Sequence, residues 1–127
     1  PQLVAGFNAI DGSTDTGDDN GHGTRMAGVA AARGFDAFGV VGLAPEARLL
    51  PIKALDAGGY GSYADVAEGI VEAVDRGARV INLSLGGQVA SFTLASAVDY
   101  ALGRGVVVVA AAGNSGLAAP SYPAGYA

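Results

Sequence analysis

The stretch SYADVAEGIVEAVDRGARVINLSL, Ser62–Leu85, decides the fold, because its pattern changes from helical to extended within a few residues. Ser62 and Asp65 predict a capping box at the start of a helix, and Gly77 predicts its end. Apolar side chains recur at intervals of four in one stripe: Val66, Ile70 and Val74. The residues Arg79–Leu85 then predict a buried strand.

The same alternation extends along the chain on both sides. Ala47–Leu55 predicts a strand, in which Pro51 indicates an irregularity. Ser91–Gly105 predicts a second long helix, and Val106–Ala112 predicts a strand buried on both faces. His22–Ala32 suits a helix of small residues. The apolar face of the second long helix is predicted to contain Leu94, Val98 and Leu102. Strands alternating with helices predict right-handed crossovers and an α/β fold with a mainly parallel sheet.

Length and composition restrict the classes of function. The chain has 127 residues, which predicts one domain, 1–127, and its net charge of −5 argues against a nucleic-acid partner. The longest apolar run is too short to cross a membrane, so no membrane partner is expected. Cysteine is absent, which excludes disulfides and thiol nucleophiles. Because the chain opens on Pro1 rather than methionine, we expect it to be a piece of a longer protein.

The only histidine of the chain, His22, lies between Gly21 and Gly23 at the start of a predicted helix. A general base must be neutral, and the positive end of a helix disfavours a protonated imidazole. The glycines allow another group to approach closely. A structural role for this histidine is the alternative. Asp18 and Asp19 are predicted to satisfy amides at the helix start rather than to orient the imidazole.

Two predicted strands end in small residues, SLGG at Ser84–Gly87 and GNSG at Gly113–Gly116. Ligands of parallel α/β sheets bind at the carboxyl ends of strands. An amide there, that of Asn114, can donate to a developing oxyanion, although the same residues also suit an ordinary turn. Ser84–Gly87 and Gly58–Gly61 are either plain loops or two edges that hold an extended peptide, with Tyr60 covering a pocket.

Four segments together resemble the motifs of the subtilisin-like serine peptidases: DDNGHGTRMAG, INLSLGG, VVVVAAAGNSG and SYPAGY. The resemblance runs nearly end to end. It implies a three-layer α/β/α fold with a mainly parallel sheet, present here in incomplete form. It also implies a secreted endopeptidase that cleaves peptide bonds through an acyl-enzyme. In that family His22 is similar to the general base, Asn114 is similar to the oxyanion-hole amide, and the bond between Tyr122 and Pro123 is cis.

The resemblance further implies how a peptide or protein substrate is bound. Two segments match the strands on either side of the substrate backbone: Gly59, Tyr60 and Gly61, and Ser84, Leu85 and Gly86. Three residues match a roomy, uncharged primary specificity pocket: Ala111, Gly113 and Ser121. A loop resembles the family's structural calcium site, with ligands expected from Asp36, Phe38 and Val40. An inhibitory propeptide is a further candidate partner, and no other cofactor is expected.

The resemblance implies that the family's catalytic aspartate lies just upstream of Pro1 and that its nucleophilic serine, in a Gly-Thr-Ser motif, lies beyond Ala127, so we expect neither among these 127 residues. Because nucleophile, base and orienting group act as one unit, we expect the chain alone to be inactive and its parent protein to be active. A non-catalytic module that keeps the peptide groove is the alternative function. A cofactor-binding α/β domain is a third.

Overall fold

The computed structural model describes residues 2–34, 39–116 and 118–126. Contacts between Cα atoms group the chain into two compact units, Pro1–Gly61 and Ser62–Ala127. Within the described ranges, none of the helices is both long and apolar enough to span a membrane.

The first unit contains two pairs of short parallel strands. β1 (Gln2–Leu3) pairs with β3 (Arg48–Leu49), and β2 (Phe7–Asn8) pairs with β4 (Ile52–Lys53). The predicted strand over 47–55 is therefore split at Pro51, as its sequence indicated. β1 and β2 were not predicted, because two residues are too few to show a period.

α1 (His22–Ala31) confirms the predicted helix of small residues. The segment 42–44 runs against its carboxyl end and satisfies three carbonyls that a helix leaves without partners. These bonds are Gly42 N to Ala32 O at 2.8 Å, Leu43 N to Val29 O at 3.1 Å and Ala44 N to Ala30 O at 2.8 Å. A Cβ on Gly42 would lie 2.4 Å from the Ala32 nitrogen, so only glycine permits this approach.

The second unit begins with α2 (Tyr63–Asp75), whose predicted boundaries are confirmed. The Ser62 hydroxyl accepts from Asp65 N at 3.0 Å, and the Asp65 carboxylate accepts from Ser62 N at 3.2 Å. At the other end Gly77 adopts φ 84°. Its amide bonds Val74 O, and the next amide bonds Ala73 O, which is a Schellman motif. The predicted stripe of Val66, Ile70 and Val74 is buried.

α3 (Phe92–Gly103) ends in the same way, with Gly105 at φ 74°. Leu94 and Val98 are buried as predicted, whereas Leu102 is 52% exposed and lies outside the core. α3 packs against α2 and against the strand that follows it.

β5 (Val80–Leu83) and β6 (Val107–Ala110) form a parallel pair in which Val80 lies opposite Val107. The prediction that β6 is buried on both faces is wrong. Val107 and Val109 are 55% and 50% exposed, because within the described residues of this unit the helices cover only one face of the pair. The covered face contributes Ile81 and Leu83 to the core.

Candidate active site

His22 is the first residue of α1 and is half-buried. The preceding residue, Gly21, is the N-cap with φ 85°, a conformation that favours glycine. Having no side chain, this cap makes no side-chain hydrogen bond to the helix. The amides at the helix start therefore need an acceptor from elsewhere.

Asp18 supplies that acceptor. Its carboxylate accepts hydrogen bonds from Gly21 N at 2.8 Å, Thr24 N at 2.8 Å and Thr24 Oγ1 at 2.6 Å. These bonds hold the pKa of the Asp18 carboxyl well below its usual value, and the bond from the Thr24 hydroxyl has the largest effect. The prediction that Asp18 satisfies amides at the helix start is confirmed.

The same prediction is wrong for Asp19. Its carboxylate forms an ion pair with the Lys53 ammonium of β4, and Lys53 also donates to Gly17 O at 2.8 Å. The hydrogen bond to Asp19 makes the largest contribution to the raised pKa of Lys53. Sequence reasoning missed Lys53, since nothing local links residues 34 positions apart.

The segment Gly59–Gly61 lies in a tight turn organised by Asp56. The Asp56 carboxylate accepts from Tyr60 N at 3.0 Å, and Asp56 N donates to Tyr60 O at 2.8 Å. Tyr60 is 78% exposed, and a Cβ on Gly61 would lie 2.1 Å from Ala54 O. Asn20 Nδ2 donates to Ala57 O at 2.9 Å, so the structure brings this turn next to the loop that carries His22.

In the second unit, the carboxyl ends of β5 and β6 open onto one cavity of about 180 Å³. Its lining includes four of the predicted site residues: Gly86, Gly113, Asn114 and Ser121. None of the described residues that line it has a charged side chain. Asn114 is exposed, immediately after Gly113, whose φ of 86° turns the chain at the strand end.

The floor of this cavity depends on the absence of side chains. A Cβ on Gly86 would lie 2.5 Å from Ser121 Oγ and 3.8 Å from Ala111 O, so the structure places these residues around one point. Ser84 and Leu85 are half-buried between β5 and Gly86, and Asn82 Nδ2 donates to Ser84 Oγ at 2.7 Å.

Tertiary contacts that the sequence did not indicate bind the segments that follow the lining residues Gln88 and Ser121. Gly87 and Tyr122 form an antiparallel bridge, with N–O distances of 2.9 and 2.8 Å. The Tyr63 hydroxyl accepts from Val89 N at 3.3 Å, and the Tyr126 hydroxyl accepts from Ser91 N at 2.7 Å. The peptide bond between Tyr122 and Pro123 is cis, as the resemblance implied.

The expected calcium ligands Asp36 and Phe38 lie outside the described residues. Val40 is described and is 69% exposed. The described part of the chain contains no group of three or more His, Cys, Asp or Glu that could bind a metal ion.

Comparison with known proteins adds a consistent set of similarities. A sequence model of the subtilase family matches residues 3–127. Thermitase of Thermoactinomyces vulgaris is 48% identical over 98% of this chain and 45% of its own length. Subtilisin Savinase of Lederbergia lenta is 48% identical over 98% of this chain and 46% of its own length.

A solved structure supports the same grouping. Sphericase superposes with a TM-score of 0.87 at 36% identity, over 97% of this chain and 44% of that chain. This likeness confirms the predicted α/β fold with parallel strands. The chain spans less than half the length of each of these relatives.

Proposed function

The chain belongs to the subtilase family, and from this membership we propose that it forms part of a serine endopeptidase. The observation that carries the proposal is the cavity at the ends of β5 and β6, where a side-chain amide and a serine border an uncharged depression. A cavity of about 180 Å³ is smaller than the roughly 300–1,000 Å³ of sites for drug-sized ligands, and suits one amino-acid side chain.

In the proposed reaction His22 is the general base. It removes the proton from a serine hydroxyl supplied from outside residues 1–127, and the serine oxygen attacks the substrate carbonyl carbon. The carbonyl oxygen becomes an oxyanion, to which Asn114 Nδ2 donates a hydrogen bond. The peptide carbon–nitrogen bond breaks as His22 gives its proton to the leaving amine, and the acyl group stays on the serine oxygen. Water, deprotonated by His22, then attacks the acyl carbon, and the serine oxygen leaves and takes the proton back.

The internal bonds of the turn at Asp56 restrict how the first unit binds a peptide. Both the amide and the carbonyl of Tyr60 are engaged by Asp56. The substrate backbone therefore bonds to the carbonyl of Gly59 and to Gly61, while the exposed Tyr60 ring contacts a substrate side chain. In the second unit, Ser84–Gly86 bonds to the peptide backbone, and the pocket of Ala111, Gly113 and Ser121 takes the side chain before the cleaved bond.

Secretion, an inhibitory propeptide and a structural calcium ion bound by the segment that contains Asp36 belong to the same proposal. Calcium has no part in the reaction steps above. Titration of the metal-free protein with Ca²⁺ by calorimetry tests that site. Recovery of the active protein from the culture medium tests secretion.

Labelling of the parent protein by a fluorophosphonate probe tests the proposed function, because only an activated serine reacts. We expect the wild type to label, His22→Ala to lose labelling, and residues 1–127 alone to remain unlabelled. Asn114→Ala should lower kcat by about 10²–10³, a magnitude taken from a subtilisin rather than from this geometry. A parent protein that binds peptides but never labels is a binding module, and the peptidase proposal is then wrong.

A further inference from the structure

The carboxylate of Asp18 forms hydrogen bonds to residues on both sides of His22. One oxygen accepts from Asn20 N at 3.2 Å and from Gly21 N at 2.8 Å. The other accepts from Thr24 N at 2.8 Å and from Thr24 Oγ1 at 2.6 Å. Gly21 directly precedes His22 and Thr24 follows it by two positions, so one side chain fixes the backbone on both sides of the histidine.

The loop that carries Asp18 is itself anchored to the first unit at two points. The Lys53 ammonium, on a side chain that is 18% exposed, binds the Asp19 carboxylate and Gly17 O. Asn20 Nδ2 binds Ala57 O at 2.9 Å. The Asp18 carboxylate therefore has a defined position relative to β4, and the helix start that it binds has one too.

The charge of Asp18 suits this arrangement. All four of its bonds come from N–H or O–H donors, which an ionised carboxylate accepts and a protonated one accepts less well. The pKa of Asp18 lies well below its usual value for that reason. A negative charge at a helix start also complements the helix dipole.

Taking the peptidase function proposed above as given, we infer that Asp18 is a positioning residue for the base: its carboxylate sets the direction in which the His22 side chain leaves α1. Proton transfer requires the base within hydrogen-bond reach of the nucleophile, and a misplacement of about 1 Å can cost about 10² in rate. Asp18 contributes nothing to substrate binding in this role. Its loss should lower kcat and leave KM unchanged.

Asp18→Asn in the whole parent protein is the decisive variant. Asparagine keeps one acceptor oxygen for Gly21 but directs an NH₂ group at the Thr24 amide. We expect kcat, per active site titrated with a fluorogenic phosphonate, to fall about 10–100-fold on a peptide substrate, with KM within about twofold. Asp11→Asn is the matched control: it removes the same charge from the same unit, and the described bonds of the Asp11 carboxylate are to Ser13 in its own loop and not to α1. It should retain the wild-type kcat.

A second pair of variants keeps the test open if Asp18→Asn folds poorly. Thr24→Val removes the hydroxyl donor and leaves the backbone amide, so kcat should fall by a smaller factor, and Thr24→Ser should restore it. Unfolding by urea is measured on every variant. If Asp18 only caps the helix, the Asp18 and Thr24 substitutions would lower the urea midpoint and leave kcat per titrated site at the wild-type value. That result would overturn the inference.

Failure of the proposed function would look different. In that case neither the wild type nor any variant would label with the fluorophosphonate or cleave the peptide. Wild-type labelling, together with its loss in His22→Ala, confirms the base independently of Asp18. The Asp18 and Thr24 series then decides the positioning role alone.

Discussion

Two glycines at the end of α3 should respond in opposite directions to the same substitution. Gly103 is the last helical residue and Gly105 follows the cap at φ 74°. Both are exposed, and a Cβ at either position would have no neighbour within 4 Å. Packing therefore makes no difference between Gly103→Ala and Gly105→Ala, and only the backbone conformation separates them.

The magnitude follows from two contributions to the free energy of unfolding. Alanine restricts the unfolded chain and so stabilises either variant by about 0.5 kcal/mol. At position 105 the left-handed conformation costs an alanine about 1–2 kcal/mol, and that cost is absent at position 103. We expect Gly103→Ala to be about 0.5 kcal/mol more stable than wild type, and Gly105→Ala to be about 1 kcal/mol less stable.

Urea unfolding of the parent protein measures both values. The protein is first treated with a sulfonyl fluoride, so that self-digestion does not distort the transition. The m-value should stay constant, because neither change alters the surface exposed on unfolding. If both variants shift the midpoint in the same direction, backbone conformation does not control this helix end, and the reasoning is refuted.

Three further predictions concern the core, a close backbone approach and pH. Leu94→Ala removes a fully buried side chain of α3 and should lower the free energy of unfolding by about 2–5 kcal/mol. Leu102 is half exposed on the same helix, so Leu102→Ala should lower it by only about 1 kcal/mol. Equal urea midpoints for the two variants would contradict the assignment of the core. Gly42→Ala forces a methyl group against the backbone of α1 and should cost about 1–3 kcal/mol, measured in the same way, with no effect counting against the close approach. Folding lowers the pKa of Asp18, so the stabilising contribution of its carboxylate is complete above the ordinary value of 3.8 and is lost as the pH falls through the lower pKa of the folded state. The unfolding free energies of wild type and Asp18→Asn should therefore differ by a constant amount from pH 5 to 8 and converge below pH 3.8. A difference that vanishes already near pH 5 would contradict this prediction.

The parts of the fold that sequence predicted are those fixed by neighbours in the chain. The capping box of Ser62 and Asp65 and the glycine at position 77 are local signals, and α2 begins and ends where they indicate. The burial of β6 was predicted wrongly for a physical reason. A run of valines shows that a strand can be covered on both faces, but it does not say which elements cover it, and here Val107 and Val109 remain about half exposed.

In the candidate site, too, the sequence predicted the features set by neighbours in the chain and missed those set by distant residues. The resemblance to a family indicated Gly86, Gly113 and Ser121, but the requirement that position 86 lack a side chain comes from a serine 35 residues away, which no local pattern contains.

Asp18 and Asp19 show most directly what a local sequence pattern does not predict. Adjacent and chemically identical, they have the same local signal at a helix start, yet one binds the helix and the other binds Lys53 of β4. The chain bends at residues 19–21, and the Asp18 side chain turns back to accept from the amides of Asn20 and Gly21, whereas the Asp19 carboxylate pairs with Lys53. The two aspartates therefore have different roles beside His22: Asp18 binds the start of α1, and Asp19 attaches the loop to β4.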